Sequence, residues 1–213
     1  MVKIIGIDYF RSMAVITLDN AVSFRISRIE ADNSGFHEGI SYDEESFFRT
    51  VQLIQYPKAL NNAVSMLSRR PCSSSEIINR LKKYQYLPDV IDLVLFKLKR
   101  ENLIDDRAFC EHWVSYRIGQ NYGPSRIIAE LRTKGISRFM AEEALAKFDP
   151  DEQMDHSVSL AVKAWLRTDP DEGWYKSRQK IIAYLVRKGY SWETAKKACV
   201  IAEQEMQKKT VRR

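Results

Sequence analysis

The sequence predicts a mainly α protein: three tandem three-helix modules in an elongated array, preceded by a small N-terminal α+β piece (a β-hairpin or meander plus one helix). Three observations carry this expectation. First, a phrase recurs. Ile127-Ile128-Ala129-Glu130-Leu131 with Lys134-Gly135-Ile136-Ser137 returns as Ile181-Ile182-Ala183-Tyr184-Leu185 with Lys188-Gly189-Tyr190-Ser191. A weaker copy, Ile77-Ile78-Asn79-Arg80-Leu81 with Tyr84-Gln85-Tyr86, lies upstream. Spacings of 50 and 54 residues mark a repeated supersecondary unit rather than one compact catalytic fold. Second, the first 57 residues hold β-branched runs, whereas the rest of the 213 residues reads as helix. Third, Pro57 disfavours helical geometry at Tyr56 and so marks a boundary between the two textures.

The elements follow in order. Residues 3–7, 13–18 and 22–27 are apolar and β-branched and are expected as strands, with Asp19-Asn20 as a tight turn because both tolerate left-handed backbone. Residues 31–39, containing Asn33-Ser34-Gly35, are expected as a loop. A helix is expected from Tyr42–Asp43 to Tyr56, closing an N-terminal piece of residues 1–57. Module one (58–104) is expected to hold helices at 59–70, 74–84 and 88–101. Module two (105–149) holds them at 106–119, 124–134 and 138–148. Module three (150–213) holds them at 152–167, 174–188 and 192–206.

The recurring phrase explains the shared geometry. Ile127, Ile128 and Leu131 fall on one helical stripe. Gly135 follows the last turn, where a left-handed residue is needed. Ile136 then folds back onto the stripe, and Ser137 caps the next helix. Gly189, Tyr190 and Ser191 repeat these jobs. Module one departs: Gln85 stands where Gly is expected, at a cost of about 1 kcal/mol. Pro88 opens its third helix, where a missing N–H costs nothing, and Ser73-x-x-Glu76 forms a capping box.

Charge separates the two textures. Residues 1–57 carry 5 Lys/Arg against 8 Asp/Glu; residues 58–213 carry 29 against 20. A basic array points to an anionic partner, nucleic acid or an acidic protein surface. The middle helix of each module concentrates the cations: Arg80, Lys82 and Lys83; Arg126, Arg132 and Lys134; Lys180, Arg187 and Lys188. One cation per helix C-terminus is ordinary dipole complementarity. Two or three in every module point to a binding face. Arg69-Arg70 adds charge at a turn, and Arg117 precedes the shaped segment Gly119-Gln120-Asn121-Tyr122-Gly123-Pro124. Tyr122 is placed either against a partner or against the next helix.

Other chemistries find little support. Cys72, Cys110 and Cys199 are distant and form no metal or disulfide pattern, which fits buried thiols in a reducing cytosol. His37, His112 and His156 are isolated, and Asp105-Asp106 reads as a helix start rather than a metal site. Phe109, Trp113 and Tyr116 form a core stripe before they form a platform for bases. No phosphate-cradling, zinc-hydrolase or nucleophile-elbow motif occurs. Asp8 arrives too early for a secretory leader. No run reaches the roughly 20 apolar residues of a membrane span, so the expected location is cytoplasmic. Ile4-Ile5-Gly6-Ile7-Asp8 resembles the first strand of ribonuclease H-like nucleases, but too few residues precede the repeats for that fold and its further carboxylates.

Taken together, Asn102-Leu103-Ile104-Asp105-Asp106-Arg107-Ala108-Phe109, Arg117, Tyr122-Gly123-Pro124-Ser125-Arg126-Ile127, Glu130-Leu131 and Lys134-Gly135-Ile136 resemble the RecX regulatory proteins. Ala63, Leu67-Ser68-Arg69-Arg70-Pro71 and Ser73 resemble the start of that family's first module. Departures are Asn102 and Gln85 at usual glycines, Cys110 at a usual alanine, and Gly119-Gln120-Asn121 in the loop. The resemblance implies a non-enzymatic, cofactor-free modulator of the RecA recombinase, acting as a monomer. It would lie in the groove of the RecA–single-stranded-DNA filament and suppress ATP hydrolysis, strand exchange and coprotease function, so modulating DNA repair and the SOS response. Several weak contacts along such a groove give avidity without a deep pocket. The rival reading is a general DNA-binding helical protein, since three-helix units resemble helix-turn-helix domains.

Overall fold

Apolar residues at alternate positions build the first layer. In a computed structural model that describes residues 1–168 and 173–211, four strands form an antiparallel sheet. They are β1 (Val2–Phe10), β2 (Met13–Leu18), β3 (Ser23–Ser27) and β4 (Ser41–Tyr42), in the order β3-β2-β1-β4. Val2, Ile4, Ala14, Ile16, Leu18, Phe24 and Ile26 are buried on one face. The β2–β3 turn forms where expected, but Ala21 takes the positive φ rather than Asp19 or Asn20. Asn20 instead accepts from the Val22 N–H through its side chain at 3.1 Å. Residues 31–39 are not all loop. A short helix, α1 (Arg28–Asn33), begins at a capping box in which Ser27 and Glu30 satisfy each other's backbone N–H groups.

The expected helix end at Tyr56 is corrected. Helix α2 (Glu44–Leu67) runs straight through Pro57. An interior proline costs roughly 3 kcal/mol in a helix by local rules. Here Phe47, Val51, Gln55, Ala59 and Ala63 form one buried stripe, and burial along its whole length outweighs the local cost. The stripe joins the sheet to α3 (Ser74–Lys83) and α4 (Pro88–Arg100), so residues 1–105 form one compact unit with one continuous core.

Gln55 fastens this unit at its polar seam. Only 1% exposed, it donates through Nε2 to the Arg25 carbonyl (2.8 Å) and accepts through Oε1 from the Leu87 N–H (2.9 Å). The Gln85 carbonyl accepts from the Arg25 N–H (3.1 Å), tying the sheet edge to the turn after α3. Gln85 holds that turn at φ 59, and Asn102 turns the chain at φ 54. Both are positions where the family pattern has glycine. Gln85→Gly keeps every backbone bond and removes the Cβ strain, so it is expected to raise stability by about 0.5–1 kcal/mol in urea unfolding.

The second unit, 106–213, holds two three-helix groups. The first is α5 (Asp106–Gly119), α6 (Pro124–Thr133) and α7 (Arg138–Leu145), around Phe109, Val114, Ile127, Leu131 and Ile136. The second is α8 (Pro150–Trp165), α9 (Trp174–Lys188) and α10 (Trp192–Val211), around Trp165, Ile181, Leu185, Tyr190 and Cys199. Residues 169–172 and 212–213 of the expected third module lie outside the described residues. Gly135 and Gly189 take positive φ after α6 and α9, and Ser137 and Ser191 cap the following helices as expected. All three cysteines are buried, and none is in a disulfide.

Candidate functional site

The cations read from the sequence fall into two sets. Arg69, Arg80, Lys82, Lys83, Arg132, Lys180 and Arg187 are exposed. Arg80 lies over the Tyr84 ring at 4.8 Å. Among the described residues, the side chains of Arg69, Lys82, Lys83, Arg132 and Arg187 form no ion pair or hydrogen bond. The dipole of each middle helix favours its last-turn cations, and nothing else in the fold uses the ends of Lys82, Lys83, Arg132 or Arg187.

The other set is committed to the fold. Arg70 grips Glu76 with two nitrogens, at 3.0 and 3.2 Å. Arg117 holds Glu130 in a two-pronged ion pair, Nε to Oε2 at 2.6 Å with Nη2 on Oε1, and also reaches Gln120 at 2.7 Å. Its side chain is only 17% exposed. Hydrogen bonding to Glu130 pushes the Arg117 pKa further above its ordinary value. Burial alone would raise the Glu130 pKa, but hydrogen bonds from Arg117 and Arg126 outweigh it and hold the carboxyl below its usual range. Lys134 lies over the Trp113 ring at 4.2 Å.

Tyr122 is the hub of a joint between the two groups of this unit. Arg117, Arg126 and Lys188 lie 4.2, 4.5 and 4.4 Å from its ring centre. Three cations share one ring, and the carboxylate of Glu130 pairs with two of them, Arg117 and Arg126, so the cluster keeps excess positive charge. Arg126 also points Nη1 at the Arg187 carbonyl, at 3.5 Å. The N-terminal donors of α6 meet the C-terminal acceptors of α9. Gly123 N–H donates to the Lys188 carbonyl (2.9 Å), and Ser125 N–H to the Gly189 carbonyl (3.1 Å). Each helix end thus satisfies groups the other would leave open. Tyr190 closes the joint, donating to the Asn121 carbonyl at 3.3 Å, and burial pushes its pKa up to about 12.

The sequence reading named Arg117, Arg126 and Lys188 among the cations but did not bring them into one cluster. Glu130 and Tyr122 as its centre, and Gly123 as a point of backbone contact, went unread. Gly123-Pro124 reads locally as an ordinary helix start, and its partner Gly189 is remote in the chain. Phe109 is buried, but Tyr116 is 53% exposed, so the expected core stripe ends at Trp113. Among the described residues, no group of three or more His, Cys, Asp or Glu could hold a metal ion. None of the described helices is long and apolar enough to cross a membrane.

Comparison with known proteins matches this architecture. Family models for the first, second and third three-helix domains of RecX match residues 59–98, 105–145 and 151–199. The chain is 28% identical over 187 residues to the regulatory protein RecX of Finegoldia magna, covering 85% of this chain and 90% of that one. It is 29% identical over 192 residues to the regulatory protein RecX of Listeria innocua, covering 90% and 71%. The solved structure of RecX from Lactobacillus salivarius is similar with a TM-score of 0.64 at 26% identity, covering 70% of this chain and 97% of that one. Another crystal structure of a regulatory protein RecX gives 0.62 at 26% identity, covering 91% and 97%. With all three domains matched in order on the same helical fold, the chain belongs to the RecX family of regulatory proteins.

Proposed function

We propose that this chain binds the RecA–single-stranded-DNA filament in its helical groove and inhibits ATP hydrolysis, strand exchange and coprotease function. It acts in the cytoplasm, as a monomer and without a cofactor, and so modulates DNA repair and the SOS response. Membership of a regulatory family supports the reading. The observation that carries it is the set of exposed, unpaired cations at the ends of α3, α6 and α9: Lys82, Lys83, Arg132 and Arg187. Arg69 and Arg80 add exposed charge in the first unit, and Lys180 in the second. Arg70, Arg117, Arg126, Lys134 and Lys188 hold local structure within their own units while adding positive field.

Unpaired cations alone would also suit any phosphate backbone, which keeps general DNA binding as the rival. Reversing Lys82, Lys83, Arg132 and Arg187 to glutamate is expected to weaken filament binding at least about tenfold, or about 1.4 kcal/mol. Helical content should stay unchanged. Filament affinity equal to wild type in a folded quadruple variant would remove these residues from the site. Binding to free duplex as tight as to the filament, falling steeply with salt, would favour the rival.

A further inference from the structure

A second site lies in the first unit, beside the C-terminal end of α3. A cleft of about 460 Å³ opens between the β3 edge of the sheet, α2 and the turn after α3. That volume falls in the roughly 300–1,000 Å³ range of small-molecule sites. Met13, Ile26 and Ile54 supply apolar wall, and Arg25, Lys58, Asn61 and Tyr84 supply donors.

Arg25 is the anomaly. Its Nε is buried with no acceptor, and its side chain makes no ion pair among the described residues. Buried polar groups are almost always satisfied, and an orphaned one calls for an absent partner. The nearby carboxylate of Glu30 is engaged through Oε2 alone, and its Oε1 accepts no hydrogen bond among the described residues. Glu30 accepts from Lys58 at 2.6 Å, from the Ser27 hydroxyl at 2.6 Å and from the Ser27 N–H at 3.0 Å. Hydrogen bonding by Lys58 and Ser27 outweighs the effect of burial and lowers the Glu30 pKa, so it stays ionised and cannot donate. Among the described residues, no side-chain hydrogen bond engages Asn61 or the Tyr84 hydroxyl either. The cleft therefore offers a guanidinium, an amide and a phenol with no acceptor of their own, beside an ammonium.

We propose that this cleft binds a small organic phosphate of mononucleotide size. The guanidinium fork of Arg25 matches phosphate oxygens in pairs. Asn61 and Tyr84 supply further donors, more than the two oxygens of a carboxylate would occupy. The apolar wall requires an organic body, because a bare inorganic ion would leave the half-buried Met13 and Ile54 uncovered. Nucleotide phosphate reaches a protein either as free nucleotide or as the phosphorylated end of a strand, and the chemistry recognised is the same.

Calorimetric titration of the full chain with thymidine monophosphate tests this, without RecA and so independently of the function proposed above. Saturable binding is expected, at least about tenfold tighter than thymidine. Arg25→Gln should weaken it by a similar factor. Asn61→Trp, at an exposed helix position, should block the cleft without disturbing the core. No saturable binding, or wild-type affinity in both variants, would overturn the site. A 5′-phosphorylated oligothymidylate binding more tightly than the mononucleotide, and losing that advantage with Arg25→Gln, would identify the strand end as the source. Equal or weaker binding would identify the free nucleotide.

Discussion

Gly123→Ala is expected to destabilise the second unit by about 3 kcal/mol, at the upper end of overpacking costs. For a chain of this size that corresponds to a melting temperature roughly 6–12 °C lower. The cause is space, since Gly123 has φ −80 and needs no glycine for its conformation. A Cβ there would lie 2.3 Å from the Gly189 carbonyl carbon and 2.4 Å from the Tyr190 nitrogen. Both are backbone atoms, and neither side can step back. The Gly123 and Ser125 N–H groups are bonded to Lys188 and Gly189, and Tyr190 is bonded to Asn121. Gly119, four residues earlier, has nothing within 4 Å of the same position. Gly119→Ala should therefore leave the melt within about 0.5 kcal/mol of wild type. Thermal unfolding of the two variants side by side separates contact from generic glycine effects. Equal melts would show that the helix ends do not meet as described.

Arg117→Ala is expected to cost about 2 kcal/mol, the scale of hydrogen bonds to a charged group in a partly buried setting. It leaves Glu130, 22% exposed, with Arg126 as its remaining ion-pair partner. The Glu130 pair also sets an acid dependence. Burial raises its pKa, but the hydrogen bonds from Arg117 and Arg126 prevail, so the folded value lies below the ordinary 4.5. A carboxyl lowered on folding contributes its full stability above the unfolded pKa. That contribution is lost as pH falls from about 4.5 through the lower folded value. Glu130→Gln should therefore be less stable than wild type at pH 7, with the difference shrinking as the solution is acidified towards about pH 3. Urea unfolding across that range checks it. A constant gap between the two proteins would mean that Glu130 is not held ionised by its arginines.

These two sites mark where sequence reading stops. Helices α6 and α9 were legible because stripe, glycine and serine agree locally, as at Ile127–Leu131, Gly135 and Ser137. Helix α2 was misread at Pro57 because a local rule competed with a tertiary stripe, and the stripe won. Helix α1 carried a visible signal in Ser27-x-x-Glu30, masked by the loop-like residues that follow. The cations were legible as a pattern, but their division was not. Arg117 and Arg132 look alike in sequence, yet one packs against Glu130 across a turn and the other faces solvent. Partner choice of that kind depends on how α5 lies on α6. Gln55 gave no signal at all: a glutamine in an apolar stripe says nothing about the Arg25 carbonyl and Leu87 N–H that it bonds.

RecA ATP hydrolysis on single-stranded DNA, with this chain at less than one copy per RecA, tests the central claim most directly. The expected result is inhibition by the wild-type chain that is relieved when Lys82, Lys83, Arg132 and Arg187 are reversed to glutamate. An unchanged hydrolysis rate, alongside strong salt-sensitive binding to free DNA, would contradict it.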